Sequence, residues 1–183
     1  MAELAKFALH PGDIAPDFAL PATDGKTYRR DDFSKSKLLL VSFWCNHCPY
    51  VQAWESRMIE LGNQYLAKGV AFVLINSNDP TSYPEDRFER MVDRARQKKY
   101  PFPYLHDASQ TVARDYGALV TPHPMLFGSE RRLLFQGRID DNHEHPEQVK
   151  KRFLREAIDH ALAGRSIAQP ELPVLGCSVK WRM

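Results

Sequence analysis

Leu38-Leu39-Leu40-Val41-Ser42-Phe43-Trp44-Cys45-Asn46-His47-Cys48-Pro49-Tyr50-Val51 opens as an apolar run with one serine and passes through two cysteines to a proline. The run from Lys37 to Trp44, with a valine and two aromatics, has the pattern of a central strand covered on both faces. Pro49 suits the first helical position, because its missing N–H would have no partner there. Behind it Val51, Trp54, Met58, Leu61 and Tyr65 recur at spacings of three, four, three and four, an apolar stripe closed by Gly69. The turn Cys45-Asn46-His47-Cys48 therefore lies where a buried strand gives way to a helix.

Working outward, the segment from Phe18 to Tyr28 carries Asp24-Gly25, a hairpin signal, and predicts a small leading hairpin. Val70 to Ile75 reads as a second buried strand, followed by the loop Asn76-Ser77-Asn78-Asp79-Pro80, whose side chains bond their own backbone. A helix is predicted from Glu85 to Lys98, with Phe88, Met91, Val92 and Ala95 on one face. A short strand follows at Phe102 to Leu105, then a brief helix capped by Ser109 and ended by Gly117. Met125 to Phe127 and Leu133 to Ile139 predict neighbouring antiparallel strands. Val149, Phe153, Ala157, Ile158 and Ala161 predict a last amphipathic helix before Gly164. The tail, with Pro170, Pro173 and Cys177, has no clear period. This order implies an α/β fold with a mixed central sheet, helices on both faces and an N-terminal hairpin. One domain is expected over residues 1–183, with a core at about 11–164 and a tail at 165–183.

The chain of 183 residues balances 25 basic against 23 acidic side chains, a formal charge of +2. That leaves no broad basic field for a phosphate backbone, so nucleic acid is not an expected partner. The N-terminal stretch from Met1 to Pro11 is too polar for a secretory leader, and the longest apolar run is strand-length, so no membrane span is expected. Three cysteines fit one redox pair plus one further thiol, and the expectation drawn from this is a cytoplasmic protein.

A thiol at the start of a helix faces unpaired amides and the positive end of the helix dipole, which stabilise its thiolate. With Pro49 first in the helix, Cys48 stands at the cap and is read as the nucleophile, with Cys45 as its partner. His47 between them could stabilise a thiolate or move a proton, or could be a plain loop histidine. Two other readings of the pair stay open. Free cysteine also packs as a small hydrophobe, and Cys45, His47 and Cys48 with His143 and His145 could offer zinc ligands.

On these residues the chain resembles the redoxins of the thioredoxin-like superfamily, in the AhpC/TSA-related branch near peroxiredoxins and membrane-anchored cytochrome-maturation thioredoxins. The marks are Gly-Asp-Ile-Ala-Pro-Asp-Phe from Gly12, Phe-Trp-Cys-Asn-His-Cys-Pro-Tyr-Val from Phe43, Thr121-Pro122 before a strand, and Gly-Arg-Ile-Asp-Asp from Gly137. The resemblance implies a thioredoxin-like fold and thiol-disulfide oxidoreductase activity without a cofactor. Its partners would be protein or small-molecule disulfides and a cellular dithiol reductant. It implies a cis-proline at Pro122, with Thr121 and Pro122 holding extended substrate backbone and Trp44 shielding the thiolate on the substrate face.

There are departures from the family pattern. Counted from Phe43-Trp44, the two usual thioredoxin cysteines fall on Cys48 and Val51, so the pair here is shifted towards the strand. Ser42 stands where many thioredoxins carry a buried acid, leaving Asp79 or His123 as substitutes. A peroxidase is the alternative, since Cys48-Pro49 matches the peroxiredoxin Cys-Pro, but Val41 and Cys45 replace the Pro and Thr or Ser that position peroxide. Cys177 in the tail could fold back to resolve an oxidised Cys48. A zinc-binding or non-catalytic interaction module is the reading from another class.

Overall fold

Three buried parallel strands and an antiparallel pair make one mixed sheet. The computed structural model describes residues 6–183; the first five residues of the stretch read as non-secretory lie outside them. The elements are β1 (Ala19–Pro21), β2 (Thr27–Arg29), β3 (Leu38–Phe43), α1 (Pro49–Tyr65), β4 (Val70–Asn76), α2 (Phe88–Gln97), β5 (Tyr104–His106), α3 (Thr111–Tyr116), β6 (Val120–Thr121), β7 (His123–Phe127), β8 (Leu133–Gln136), α4 (Phe153–Leu162) and β9 (Cys177–Ser178). The main sheet runs β5-β4-β3-β7-β8, with β3, β4 and β5 parallel and β7 and β8 antiparallel. This is the thioredoxin-like α/β fold, with the β1-β2 hairpin at its N-terminal side.

Every residue of β3 and β4 is buried, because both faces of the sheet are covered. Leu38 and Leu40 alternate with Leu39, Val41 and Phe43, so the first set packs with Trp54, Met58, Met91 and Ile158 from α1, α2 and α4. The second set packs with Val112, Ala113 and Tyr116 of α3 and with Phe18 and Leu20 beneath the hairpin. Asp24 closes the hairpin by accepting from Lys26 N–H at 2.9 Å and from the Tyr28 hydroxyl at 2.6 Å. No helix among the described residues is long and apolar enough to cross a membrane.

The helix predicted from Glu85 divides. Pro84–Asp86 is a single 3-10 turn, Arg87 is extended (φ −62, ψ 149), and α2 begins at Phe88. The break has a cause: the Asp86 side chain is drawn inward and fully buried. Ser109 is not the cap of α3. Gln110 holds the N-cap with a left-handed backbone, and the Asp107 carboxylate accepts from Ala113 N–H at 2.9 Å. The last helix starts at Phe153, since Pro146–Gln148 forms its own 3-10 turn and Val149 is extended beyond it. The tail, in which no period was found, ends in a short strand: β9 pairs antiparallel with β6, placing Cys177 opposite Thr121.

Candidate active site

The site forms where β3 ends. Trp44 N–H bonds Ile75 O at 2.8 Å, carrying the β3-β4 register one residue further before the chain turns through Cys45-Asn46-His47 into α1. Cys48 is the N-cap residue, in extended backbone (φ −69, ψ 124), with Pro49 first in the helix. Opposite the turn lies Thr121, joined to Pro122 by a cis peptide bond. Cys45 Sγ is 3.2 Å from Thr121 Oγ1, and Cys48 Sγ is 3.2 Å from Thr121 O. Both of these cysteines are fully buried, all three cysteines are free thiols, and Cys177 is partly exposed.

The three thiols are electrostatically unequal. Cys48 is held well below its ordinary value, first by a hydrogen bond from the Cys45 thiol, which outweighs burial, then by the Cys177 thiol and by the N–H groups of Val51 and Cys177. Cys45 is pushed up by burial, by donating to Cys48 and by the nearby Asp86 charge. Cys177 is pushed up to about 11, by burial and by its bond to Cys48. As a thiol, Cys48 donates to Thr121 O. Once ionised it gives up that bond, and the surrounding S–H and N–H donors carry the charge.

Asp86 is the residue that sequence reasoning missed. Its carboxylate accepts from Asn46 N–H at 2.6 Å, Asn78 Nδ2 at 3.0 Å and Asn76 Nδ2 at 3.3 Å, and pairs with His47 Nδ1. Burial alone would raise its pKa, but the bonds from His47, Asn78 and Asn46 hold it below the usual carboxylate value. The His47 ring stacks on Tyr83, with ring centroids 4.1 Å apart. By sequence Asp86 falls in the helix predicted from Glu85, where an acid reads as part of a solvated face, and nothing in the local pattern marks it as buried.

The other candidates are placed as follows. Trp44 is fully buried and presents no surface to a substrate; its indole N–H donates to Tyr100 Oη at 3.2 Å. Asp79 accepts from the Thr81 hydroxyl at 3.0 Å within its own loop. His123 is buried in β7, accepts from Leu119 N–H, lies 3.2 Å from Gln136 Oε1, and is pushed down to about 4 by burial. The zinc set does not assemble. Among the described residues one group could hold a metal ion, Cys45, His47 and Asp86, with ligand atoms within 4.8 Å of one another, and it lacks Cys48, His143 and His145. The His143 ring packs on Tyr50 and Trp54, and His145 faces Glu147. Trp54 and Arg57 are anchored by Asp140 of the Gly137 motif, at 2.8 and 2.5 Å.

Two buried thiols thus lie at the start of a helix beside the strand edge at Thr121, and comparison with known proteins places the chain in a family. The AhpC/TSA family model matches residues 11–137. The chain belongs to the AhpC/TSA family. It is similar to the thiol-disulfide oxidoreductase ResA of Geobacillus thermodenitrificans, 26% identical over 79% of this chain and 81% of that protein. The crystal structure of a hypothetical protein from Sinorhizobium meliloti 1021 is 37% identical, covers 97% of this chain and 99% of its own, and has a TM-score of 0.90. A protein from Chlorobium tepidum assigned as the thiol:disulfide interchange protein DsbE is 26% identical, with coverage of 85% and 99% and a TM-score of 0.66. Membership of an oxidoreductase-type redoxin family follows.

These comparisons overturn the expectation of a cytoplasmic protein. The named relatives, ResA of Geobacillus thermodenitrificans and DsbE, are extracytoplasmic thiol-disulfide oxidoreductases. The cysteine count that suggested the cytoplasm does not discriminate, because a redox pair with one extra thiol can operate in either setting.

Proposed function

We propose that this AhpC/TSA-family chain is a thiol-disulfide oxidoreductase working through Cys45 and Cys48 on protein or small-molecule disulfides, with a dithiol as reductant. The observation that carries this reading is the pair of buried sulfurs that both lie 3.2 Å from Thr121, Cys45 Sγ from its hydroxyl and Cys48 Sγ from its carbonyl oxygen, with the acidity of Cys48 raised and that of Cys45 lowered. The Cys48 thiolate attacks one sulfur of a substrate disulfide, forming a Cys48–substrate bond and releasing the other sulfur as a thiolate, which takes up a proton. Cys45 then attacks Cys48 Sγ, forming the Cys45–Cys48 disulfide and releasing the second substrate thiolate. The Cys45 proton has an acceptor in the Asp86–His47 pair, whose atoms lie within 4.8 Å of Cys45 Sγ. Extended substrate backbone lies along Thr121 and Pro122, and a groove lined by Asn46, His47, Gln52, Glu85 and Arg87 receives the rest. The electrons stay on sulfur throughout, so the cycle calls for no cofactor.

The test is mass spectrometry of trapped thiols after one equivalent of a model disulfide and, separately, one equivalent of hydrogen peroxide. The expected results are a Cys45–Cys48 disulfide from the model disulfide, a stable mixed disulfide at Cys48 in Cys45→Ser, and no exchange in Cys48→Ser. Full reductase activity in Cys48→Ser would overturn the reading. Fast peroxide oxidation of Cys48 with slow disulfide exchange would replace it with a peroxidase.

A further inference from the structure

Cys45 and Cys48 have no exposed surface, whereas Cys177 does. The tail is part of the cover, with Leu175 and Cys177 packed against the cluster that holds the pair. After α4 the chain runs beside β8, where Gln136 N–H bonds Pro170 O at 2.9 Å and Leu172 N–H bonds Gln136 O at 3.0 Å, then crosses to pair β9 with β6. Beyond β9 it is fastened to the loops that frame the site. Lys180 O accepts from Asp79 N–H at 2.8 Å and Gln110 Nε2 at 2.9 Å, and Lys180 N–H donates to Asn78 Oδ1 at 2.9 Å. Gly176 makes the approach possible, since a Cβ there would stand 2.2 Å from Thr121 O. The tail thus occupies the edge of Thr121 assigned above to substrate backbone, and it brings a third thiol to the second.

We propose that Cys177 is the accessible end of an internal thiol-disulfide relay, held by β9 against Cys48 so that a disulfide formed at the buried pair passes outward to Cys48–Cys177. The inference rests on the Cys45–Cys48 exchange proposed above. With the tail away from Thr121, a substrate disulfide reaches Cys48 and the cycle ends at Cys45–Cys48. When the tail docks, the Cys177 thiolate attacks Cys48 Sγ. The Cys48–Cys177 bond forms, the Cys45–Cys48 bond breaks, and the proton lost by Cys177 is matched by one taken up at Cys45. No net oxidation occurs in this step. An external dithiol then attacks the partly exposed Cys177 sulfur and releases the Cys48 thiolate, and its second thiol breaks the resulting mixed disulfide, closing its own disulfide and releasing the Cys177 thiolate, which takes up a proton. Tail and substrate compete for one strand edge, so substrate binding and re-reduction alternate.

The experiment uses the full chain, reduced and mixed with one equivalent of oxidised glutathione. Samples are acid-quenched over time, alkylated, digested and read for linked peptides, and re-reduction by dithiothreitol is followed separately. The expected course is Cys45–Cys48 first and Cys48–Cys177 second. In Cys177→Ser, Cys45–Cys48 still forms but its re-reduction slows about tenfold, because the buried bond has lost its accessible partner. Gly176→Val keeps all three thiols. It should lose the Cys48–Cys177 peptide and speed Cys48 alkylation by about tenfold, since β9 can no longer cover it. The relay is overturned, and the dithiol reading kept, if Cys48–Cys177 never appears and Cys177→Ser is re-reduced at the wild-type rate. It is overturned equally if Gly176→Val forms that bond as readily as wild type. Absence of any Cys48 disulfide in the wild-type chain overturns both proposals.

Discussion

Replacing Asp86 by alanine tests whether one buried carboxylate holds the Cys45-Asn46-His47-Cys48 turn in place. Four donors converge on it: Asn46 N–H, Asn78 Nδ2, Asn76 Nδ2 and His47. Two have alternatives. The Asn76 amide also neighbours Tyr104 Oη at 3.4 Å, and the His47 ring reaches solvent along one edge. The Asn46 N–H and the Asn78 amide are left stranded in a dry site, at about 1–3 kcal/mol each, or about 4 kcal/mol together. With a urea slope of about 2 kcal/mol per molar, the unfolding midpoint falls by about 2 M. Asp86→Asn keeps the volume and one acceptor oxygen, so it should lose about half as much. Both variants should also slow disulfide exchange, since the turn positions Cys45 and the proton acceptor is gone. The assay is urea unfolding by circular dichroism alongside model-disulfide exchange. A loss below about 1 kcal/mol for Asp86→Ala would refute the reasoning, because it would mean that water or a shifted loop satisfies these donors as well as the carboxylate does.

The reduced protein should be most stable near pH 8.5. Below that, Cys48 is already ionised in the native state while the unfolded chain still binds its proton, so stability rises with pH; above it, the raised Cys45 and Cys177 stay protonated while the unfolded chain ionises, so stability falls. The disulfide form should lack this peak, which unfolding of both redox forms across pH will check. His123, neutral and pushed down to about 4, contributes stability above pH ~6.5 that is lost as pH falls towards 4, about 3 kcal/mol in all, and His123→Gln should flatten that limb of the curve. Glu55→Ala leaves Tyr100, bonded to it at 2.6 Å, and Arg94, at 2.7 and 3.0 Å, without their acceptor. Because Arg94 is partly solvated, about 3 kcal/mol is expected, read as a lowered melting temperature with altered fluorescence of Trp44, whose indole donates to Tyr100.

Wherever burial repeats along the chain, the fold was legible. The apolar run into β3, Pro49 at the head of α1 and Asp24-Gly25 in the hairpin each write a local physical requirement into adjacent residues. What escaped depended on partners distant in sequence. Asp86 breaks its helix only because Asn46, His47 and Asn78 draw it inward, and Asp107 replaces Ser109 as the group that caps α3 through an equally tertiary geometry. The pairing of β9 with β6 covers only Val120, Thr121, Cys177 and Ser178, too few residues to impose alternation. Cys177 was therefore a candidate by its chemistry alone until the structure placed it opposite Thr121.

The position of β3 between β4 and β7 has a consequence for how the protein is built. The β3-α1-β4 unit carries Cys45 and Cys48, and the β6-β7-β8 stretch carries Thr121, with a long excursion through α2, β5 and α3 between them. Within the main sheet, the two halves are joined by the pairing of Leu39–Phe43 with His123–Phe127. Sequence-distant pairings of this kind are the slow step of assembly, and partial openings follow the same seams. A molecule with both halves formed but undocked would keep most of its helix and strand signal and have no chemistry. Recovery of exchange activity during refolding therefore times the closing of this one seam.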